Sequence, residues 1–177
     1  MAIIEPIAGK RINLRCAEAS DAEFTLSIRN DPELTRFIPR VNSDYETQKK
    51  WIVSQQDASD SCFLVYERKN HECIGTISYY DFDTLAKKCE IGRYISYGTA
   101  MENVEAVLLL LDYLFEETDI NEVTLNNDAQ NNRIIKFWEK FGATFNTRIS
   151  MNGWIAAQYK LTKESYYVKR EKILALL

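Results

Sequence analysis

The chain has 177 residues, of which six are glycine and three proline, about half and a third of ordinary usage. No Gly-x-Gly pair occurs, which excludes the Walker and dinucleotide-binding fingerprints, and the composition excludes collagen-like and Pro/Gly-rich disordered chains. An apolar content of 46% and a net charge of −4 predict one folded domain spanning 1–177, and they do not predict a nucleic-acid partner.

Four cysteines, Cys16, Cys62, Cys73 and Cys89, show no Cys-x-x-Cys spacing, and His71 is the lone histidine. No metal site is expected from such ligands. Thiols of this kind read as small buried groups in a reducing cytosol. The first residues carry acid before base without a long apolar core, and the longest apolar run, 106–111, is too short for a bilayer. A cytoplasmic protein without a membrane partner is therefore expected.

Residues 11–17 alternate apolar and polar side chains (Ile12, Leu14, Cys16), which predicts a half-buried strand. Ser20 and Glu23 have capping-box spacing and open a helix to about Arg29. Ser43 and Glu46 repeat that spacing before a helix carrying Trp51 and Ile52, and a loop over 30–40 joins the two. Residues 62–68 and 73–81 read as strands around a polar turn, and 89–96 as a third. From 102 to 117, Val104, Val107, Leu108, Leu111, Leu114 and Phe115 form one apolar face at helical period. A short strand follows at 122–125. A helix over 131–141 stops at Gly142, a suitable residue just past a helix end. Strands 144–151 and 154–161 flank Asn152-Gly153, a strong two-residue hairpin signal. A last helix starts near Thr162. This order predicts an α+β domain with a mixed, mostly antiparallel central sheet and helices on both faces.

The stretch Cys89, Glu90, Ile91, Gly92, Arg93, Tyr94 and Ile95, then Glu105-Ala106 in the long helix, then Asn131 through Phe137, Trp138, Glu139, Lys140, Phe141 and Gly142, resembles the GNAT superfamily of acetyl-CoA-dependent N-acetyltransferases. The tail from Asn152-Gly153-Trp154 to Tyr159-Lys160-Leu161 is similar to the branch acting on ribosomal-protein N-termini, polyamines and amino sugars. Arg29, Asn30, Asp31 and Pro32 with Gln48 and Trp51 are similar to the amino-dideoxysugar N-acetyltransferases.

The resemblance implies acetyl-CoA as co-substrate, and a small-molecule amine, first an amino sugar nucleotide, or a protein N-terminus as acceptor. It implies Glu90 as the base that takes the ammonium proton. Pantetheine is expected along Ile95 and Ser96, with the pyrophosphate before Met101, Glu102, Asn103 and Val104 at a helix start. Asn131 and Trp138 are expected beside the coenzyme. Arg29, Asn30, Trp51 and Tyr79 are expected around the acceptor. Strand parity lets only one of Tyr79 and Tyr80 face it.

The chain departs from the family pattern at Met101 and Asn103, where small residues are usual, and at Glu102, which adds negative charge. It departs again at Trp138, where a tyrosine usually protonates the thiolate, and at Asn126, where an acid sometimes stands. Plainer readings stay open: Glu90 as an edge carboxylate, Asn131 as an N-cap, Trp138 as core, and Arg29 as a partner of its helix end. A homodimer and a non-catalytic binding or regulatory module also stay open.

Overall fold

A computed structural model describes residues 5–40, 42–56, 58–151 and 153–177. Its elements are β1 (Ile7–Ala8), β2 (Ile12–Cys16), α1 (Ala22–Asn30), α2 (Tyr45–Gln56), β3 (Cys62–Arg68), β4 (Cys73–Asp83), β5 (Lys88–Ser96), α3 (Ala100–Glu116), β6 (Glu122–Asp128), α4 (Asn132–Lys140), β7 (Thr144–Met151), β8 (Trp154–Thr162) and α5 (Lys163–Leu174). The strands form one eight-stranded sheet in the order β1-β2-β3-β4-β5-β6-β8-β7. Among the described residues, only β5 and β6 run parallel; every other neighbouring pair is antiparallel. The α+β architecture expected from the element order is therefore present.

Strand β3 explains how helices cover both faces. Cys62, Leu64 and Tyr66 join the large core with α3, while Phe63 and Val65 join a smaller core with Ala22 and Ile52 of α1 and α2. Alternation sends successive side chains to opposite faces, so a strand apolar at every position is buried twice. On the large-core face, α3 buries Ala106, Val107, Leu110, Leu111, Leu114 and Phe115. Helix α5 docks beside it through Tyr166, whose hydroxyl donates to Asp112 at 2.7 Å. Arg170 grips the same carboxylate at 2.7 Å through each of two nitrogens.

Helix α4 ends as expected. Gly142 has φ +101°, its N–H donates to the Glu139 carbonyl, and the Ala143 N–H reaches back to Trp138. This is a Schellman closure, which needs a left-handed residue. A Cβ there would also lie 2.5 Å from the Ser165 carbonyl oxygen, so α5 packs where no side chain fits. Strands β7 and β8 pair up to Met151 and Trp154 around the expected hairpin. Asn152 itself lies outside the described residues.

Several boundaries differ from expectation. Ser20 sits inside a short 3-10 turn, Ala19–Asp21, rather than capping a helix. The Asp21 carboxylate accepts the Glu18 N–H at 2.7 Å instead. Likewise Asp44, not Ser43, accepts the Thr47 N–H at 2.7 Å. At α2 the carboxylate next to the expected serine is the stronger acceptor for a free helix-start donor; at α1 Asp21 makes no side-chain cap bond, and its carboxylate closes the preceding turn instead. Strand β1 was not expected, because two residues carry no period. It is held by Glu105 of α3, whose carboxylate accepts from the Lys10 and Arg11 N–H groups. Among the described residues, no helix is long and apolar enough to cross a membrane.

Candidate active site

Strands β5 and β6 pair only from Lys88↔Glu122 to Ile91↔Leu125. Beyond that point β5 continues along β4 as far as Ser96, and β6 continues along β8 as far as Asp128. The sheet therefore forks, and each strand turns a main-chain edge toward the other. A register shift between Thr76 and Ser78 of β4 accompanies the fork. Arg93, on β5 opposite this shift, has φ 53°, a left-handed conformation rare for a non-glycine residue in a strand.

Just before the fork, a polar ladder crosses the sheet on the α1/α2 face. The Tyr80 hydroxyl donates to Glu90 Oε1 at 2.6 Å, and Asn126 Nδ2 donates to Glu90 Oε2 at 2.7 Å. Gln158 Nε2 donates to Asn126 Oδ1 at 3.1 Å, and Asn146 Nδ2 donates to Gln158 Oε1 at 2.7 Å. The register explains the alignment. Tyr80 lies opposite Glu90, and Asn126 lies opposite Gln158. Burial pushes the Glu90 carboxyl above its ordinary range. The bonds from Tyr80 and Asn126 pull it back, and nearby Asp81 raises it further.

The acceptor-side residues gather around Arg93. Its guanidinium lies 4.5 Å from the Tyr80 ring centroid and 5.2 Å from that of Trp51. Trp51 packs edge-on against Phe63, with ring centroids 4.9 Å apart. Arg29, closing α1, donates to the Pro39 carbonyl at 2.7 Å and so ties down the 31–40 loop. That replaces the expected bond to its own helix end. Asn30 is exposed at the end of α1. Tyr79 requires a correction: it is fully buried in the large core near Phe82 and Tyr113. The tyrosine on the Glu90 face is Tyr80. Ser78, one pleat from Tyr80 and opposite Gly92, carries a buried hydroxyl with no hydrogen-bond partner among the described residues.

On the opposite face, the turn from β5 into α3 is bonded to itself. Helix α3 begins at Ala100, with Thr99 as N-cap. Glu102 closes the capping box by accepting the Thr99 N–H at 2.7 Å, and it pairs with Arg68 at 2.6 Å. Arg68 and the Thr99 N–H hold the Glu102 carboxyl down at about 2, against a smaller opposing effect of burial. Asn103 also turns inward. Its Oδ1 accepts from Ser96 Oγ at 2.6 Å and from the Tyr66 hydroxyl at 3.0 Å, and its Nδ2 donates to the Gly98 carbonyl at 3.1 Å. Ser96 Oγ in turn accepts the Gly98 N–H at 2.7 Å.

Glu102 and Asn103 thus serve the loop, contrary to the expectation that they face a phosphate. Val104 packs against the large core. Met101 is half-buried in the first helical turn. The N–H groups of Ala100 and Met101 precede any intrahelical acceptor and remain the donors of this helix end. Ile95 is buried and pairs with Thr76.

Asn131 caps α4 by accepting the Ile134 N–H at 3.3 Å, the plainer of its two readings. Trp138 is 2% exposed and belongs to the core, so it does not wall a coenzyme slot with an open face. Tyr94, on β5 beyond the end of the β5–β6 pairing, stacks on Phe137 at 5.8 Å with planes 14° apart, and lies 6.1 Å from Trp138.

Comparison with known proteins agrees with this geometry. The model of the acetyltransferase (GNAT) domain matches residues 11–144. The chain belongs to the GNAT family. It is an N-acetyltransferase of that family, whose members use acetyl-CoA. It is 26% identical over 141 residues to the uncharacterized N-acetyltransferase p20 of Bacillus licheniformis, covering 75% of this chain and 79% of the relative. Among solved structures it is similar to apo FdhC, a nucleotide-linked sugar GNAT, with TM-score 0.80, 23% identity, and 97% of this chain and 98% of that one covered. It is also similar to the spermidine N-acetyltransferase of Vibrio cholerae in complex with CoA and spermine, with TM-score 0.78, 14% identity, and 88% and 98% covered. At these identities the two structures attest the fold.

The residues fit the coenzyme that the family uses. The fork offers two main-chain edges, and the α3 start offers the Ala100 and Met101 donors. Sequence reading gave no site role to Arg93 or Gln158, and it named Asn126 only as a departure at a position where an acid sometimes stands. The alignment of Asn126 with Glu90 and Gln158 comes from the register of β6 against β5 and β8, which the sequence does not display. Arg93 carried no signal, because its left-handed backbone comes from the register shift.

Proposed function

We propose that this acetyltransferase acetylates a primary amine of a small molecule seated on the Glu90 face. An amino sugar nucleotide is the first candidate acceptor and a protein N-terminus the second. The observation that carries this reading is the bonding of Glu90, whose two oxygens are held by Tyr80 and Asn126 at 2.6 and 2.7 Å beside the fork.

Acetyl-CoA supplies the activated acyl carbon when bound. This chain's residues do the rest. An arriving amine is protonated near neutral pH and must lose a proton before it attacks. Glu90 accepts that proton, and partial burial makes its carboxylate more basic than an exposed one. Tyr80 and Asn126 fix the direction of its lone pairs. Main-chain N–H groups along the free edge of β5 stand where they can stabilise a developing oxyanion. Trp138 has no ionisable proton, and a thiol of ordinary pKa near ~8.5 leaves without an acid. The self-bonded loop before α3 supports weaker coenzyme binding, not a different reaction.

The test is thiol release with acetyl-CoA across an amine panel, with products identified by mass spectrometry. Wild-type protein yields an acetylated amine, and Glu90→Gln lowers kcat by about 100-fold or more with an unchanged melting curve. Measurable acetyl-CoA binding without acetylation of any amine refutes the reading.

A further inference from the structure

The polar ladder on the Glu90 face has a direction. A carboxylate only accepts hydrogen bonds, whereas a primary amide carries an acceptor oxygen and a donor nitrogen. Asn126 must therefore turn Nδ2 toward Glu90, 2.7 Å away. Its Oδ1 is left to accept, and Gln158 Nε2 donates to it at 3.1 Å. Gln158 Oε1 in turn accepts from Asn146 Nδ2 at 2.7 Å. Three amides in a row thus point their N–H groups the same way, and the carboxylate ends the chain. Turning over any one of them alone sets oxygen against oxygen. Turning over all three sets Asn126 Oδ1 against the carboxylate.

The outer end of the chain has its own backbone device. Phe145 pairs with Tyr159 and Thr147 with Gln158, so Asn146 is an extra residue in β7. Such a bulge re-aims a side chain, here onto Gln158. Asn146 is exposed, while Gln158, Asn126 and Glu90 are half-buried. The chain therefore runs from the edge strand β7 through β8 and β6 to Glu90 on β5.

The titratable groups around Glu90 are Tyr80 and Asp81 on β4 and Cys89 and Arg93 on β5, while β6 and β8 present the amides. Burial and Asp81 disfavour the charged carboxylate; Tyr80, Asn126 and Arg93 favour it. The Tyr80 hydroxyl can rotate its hydrogen away. The Asn126 donor cannot turn away while Gln158 and Asn146 hold its amide.

We infer that Asn146 and Gln158 are positioning residues for Glu90, acting through Asn126 to keep an N–H donor on the carboxylate. The inference rests on Glu90 as the base of the proposed acetylation. It adds that the ionisation of this base is set from the far edge of the sheet.

The deciding variant is Asn146→Asp, which keeps the shape of an exposed side chain and removes its donor. Gln158 must then present Nε2 to the new carboxylate and Asn126 must present Nδ2 to Gln158, so that Asn126 Oδ1 comes to face Glu90. Gln158→Leu interrupts the same chain closer to Glu90. The titration midpoint of Glu90 is read by NMR of protein labelled at the glutamate carboxyl carbon, with Glu90→Gln assigning the signal. Both variants are expected to raise that midpoint by about half a pH unit or more, a fraction of one charge-assisted hydrogen bond. The acidic limb of kcat/KM, measured on the amine that the panel identifies, moves to higher pH with it. Asn146→Asp made in a Gln158→Leu background adds no further shift, and the shift of the single variant survives salt that screens a surface charge. An unmoved midpoint in either variant, or a shift that adds fully in the Gln158→Leu background or fades with salt, overturns the inference. If the midpoint moves as expected while no amine is acetylated, or while the acidic limb stays in place, the catalytic reading of Glu90 fails and the positioning stands.

Discussion

Gly75 of β4 lies directly opposite Tyr66 of β3. A Cβ added there would sit 2.0 Å from the Tyr66 Cζ, 2.3 Å from its hydroxyl oxygen and 2.4 Å from Cε1. Tyr66 is 0% exposed, so its ring has no free volume to enter. Gly75→Ala therefore overpacks the large core without straining the backbone. Overpacking of this kind costs roughly 1–3 kcal/mol. In a domain of this size each kcal/mol moves the melting temperature by roughly 2–4 °C. A midrange cost of ~2 kcal/mol then gives a fall of ~4–8 °C.

The same displacement pulls the Tyr66 hydroxyl from Asn103, 3.0 Å away, and so loosens the turn before α3. Scanning calorimetry measures the first effect, and acetyl-CoA titration measures the second as weaker binding. The origin of the loss is tested in a Tyr66→Leu background, where the clash has no ring to meet and the added cost of Gly75→Ala vanishes. A Gly75→Ala melting point within a degree of wild type would falsify the clash, and so would a full penalty that persists once the ring is gone.

Tyr80→Phe removes a donor that favours the charged form of Glu90, so the carboxyl is pushed further above its ordinary range. The acidic limb of kcat/KM should move to higher pH; a limb that stays or moves lower contradicts the ladder's role. Glu102 is held at about 2 by Arg68 and Thr99. Its stabilising effect is complete above the ordinary glutamate range near ~4.3 and fades as pH falls toward that lower value. Melting temperature followed from pH 5 to pH 2 should drop less steeply in Glu102→Gln than in wild type, and parallel slopes refute the assignment.

Much of the fold was legible because each element carried its own signal. The apolar face from Val104 to Phe115 marked α3, the polar turn between 62–68 and 73–81 marked the β3–β4 hairpin, and Gly142 marked the end of α4. What could not be read depended on partners distant in sequence. Asp44 displaced the neighbouring Ser43 as cap through a choice between adjacent acceptors, and Ser20 was absorbed into a turn that Asp21 closes on the Glu18 N–H. Tyr79 and Tyr80 could be separated only by the register of β4 against β5. Glu102 looked like a charge set against a phosphate until Arg68, on β3, supplied its partner. Glu90 was found from the family resemblance, but its two donors came from β4 and β6, which no local pattern joins.

The forked sheet also bears on colloidal behaviour. Unpaired strand edges invite pairing with another chain, and a fork creates two of them inside the sheet, not at its rim. Tyr94 and Phe137, stacked beside the fork, are suited to act as a stopper against such self-association. A smaller side chain at position 94 would leave those edges more accessible to solvent and to neighbouring molecules. The aromatic stack therefore ties the shape of the fork to shelf life in concentrated solution, where turbidity over time is the readout.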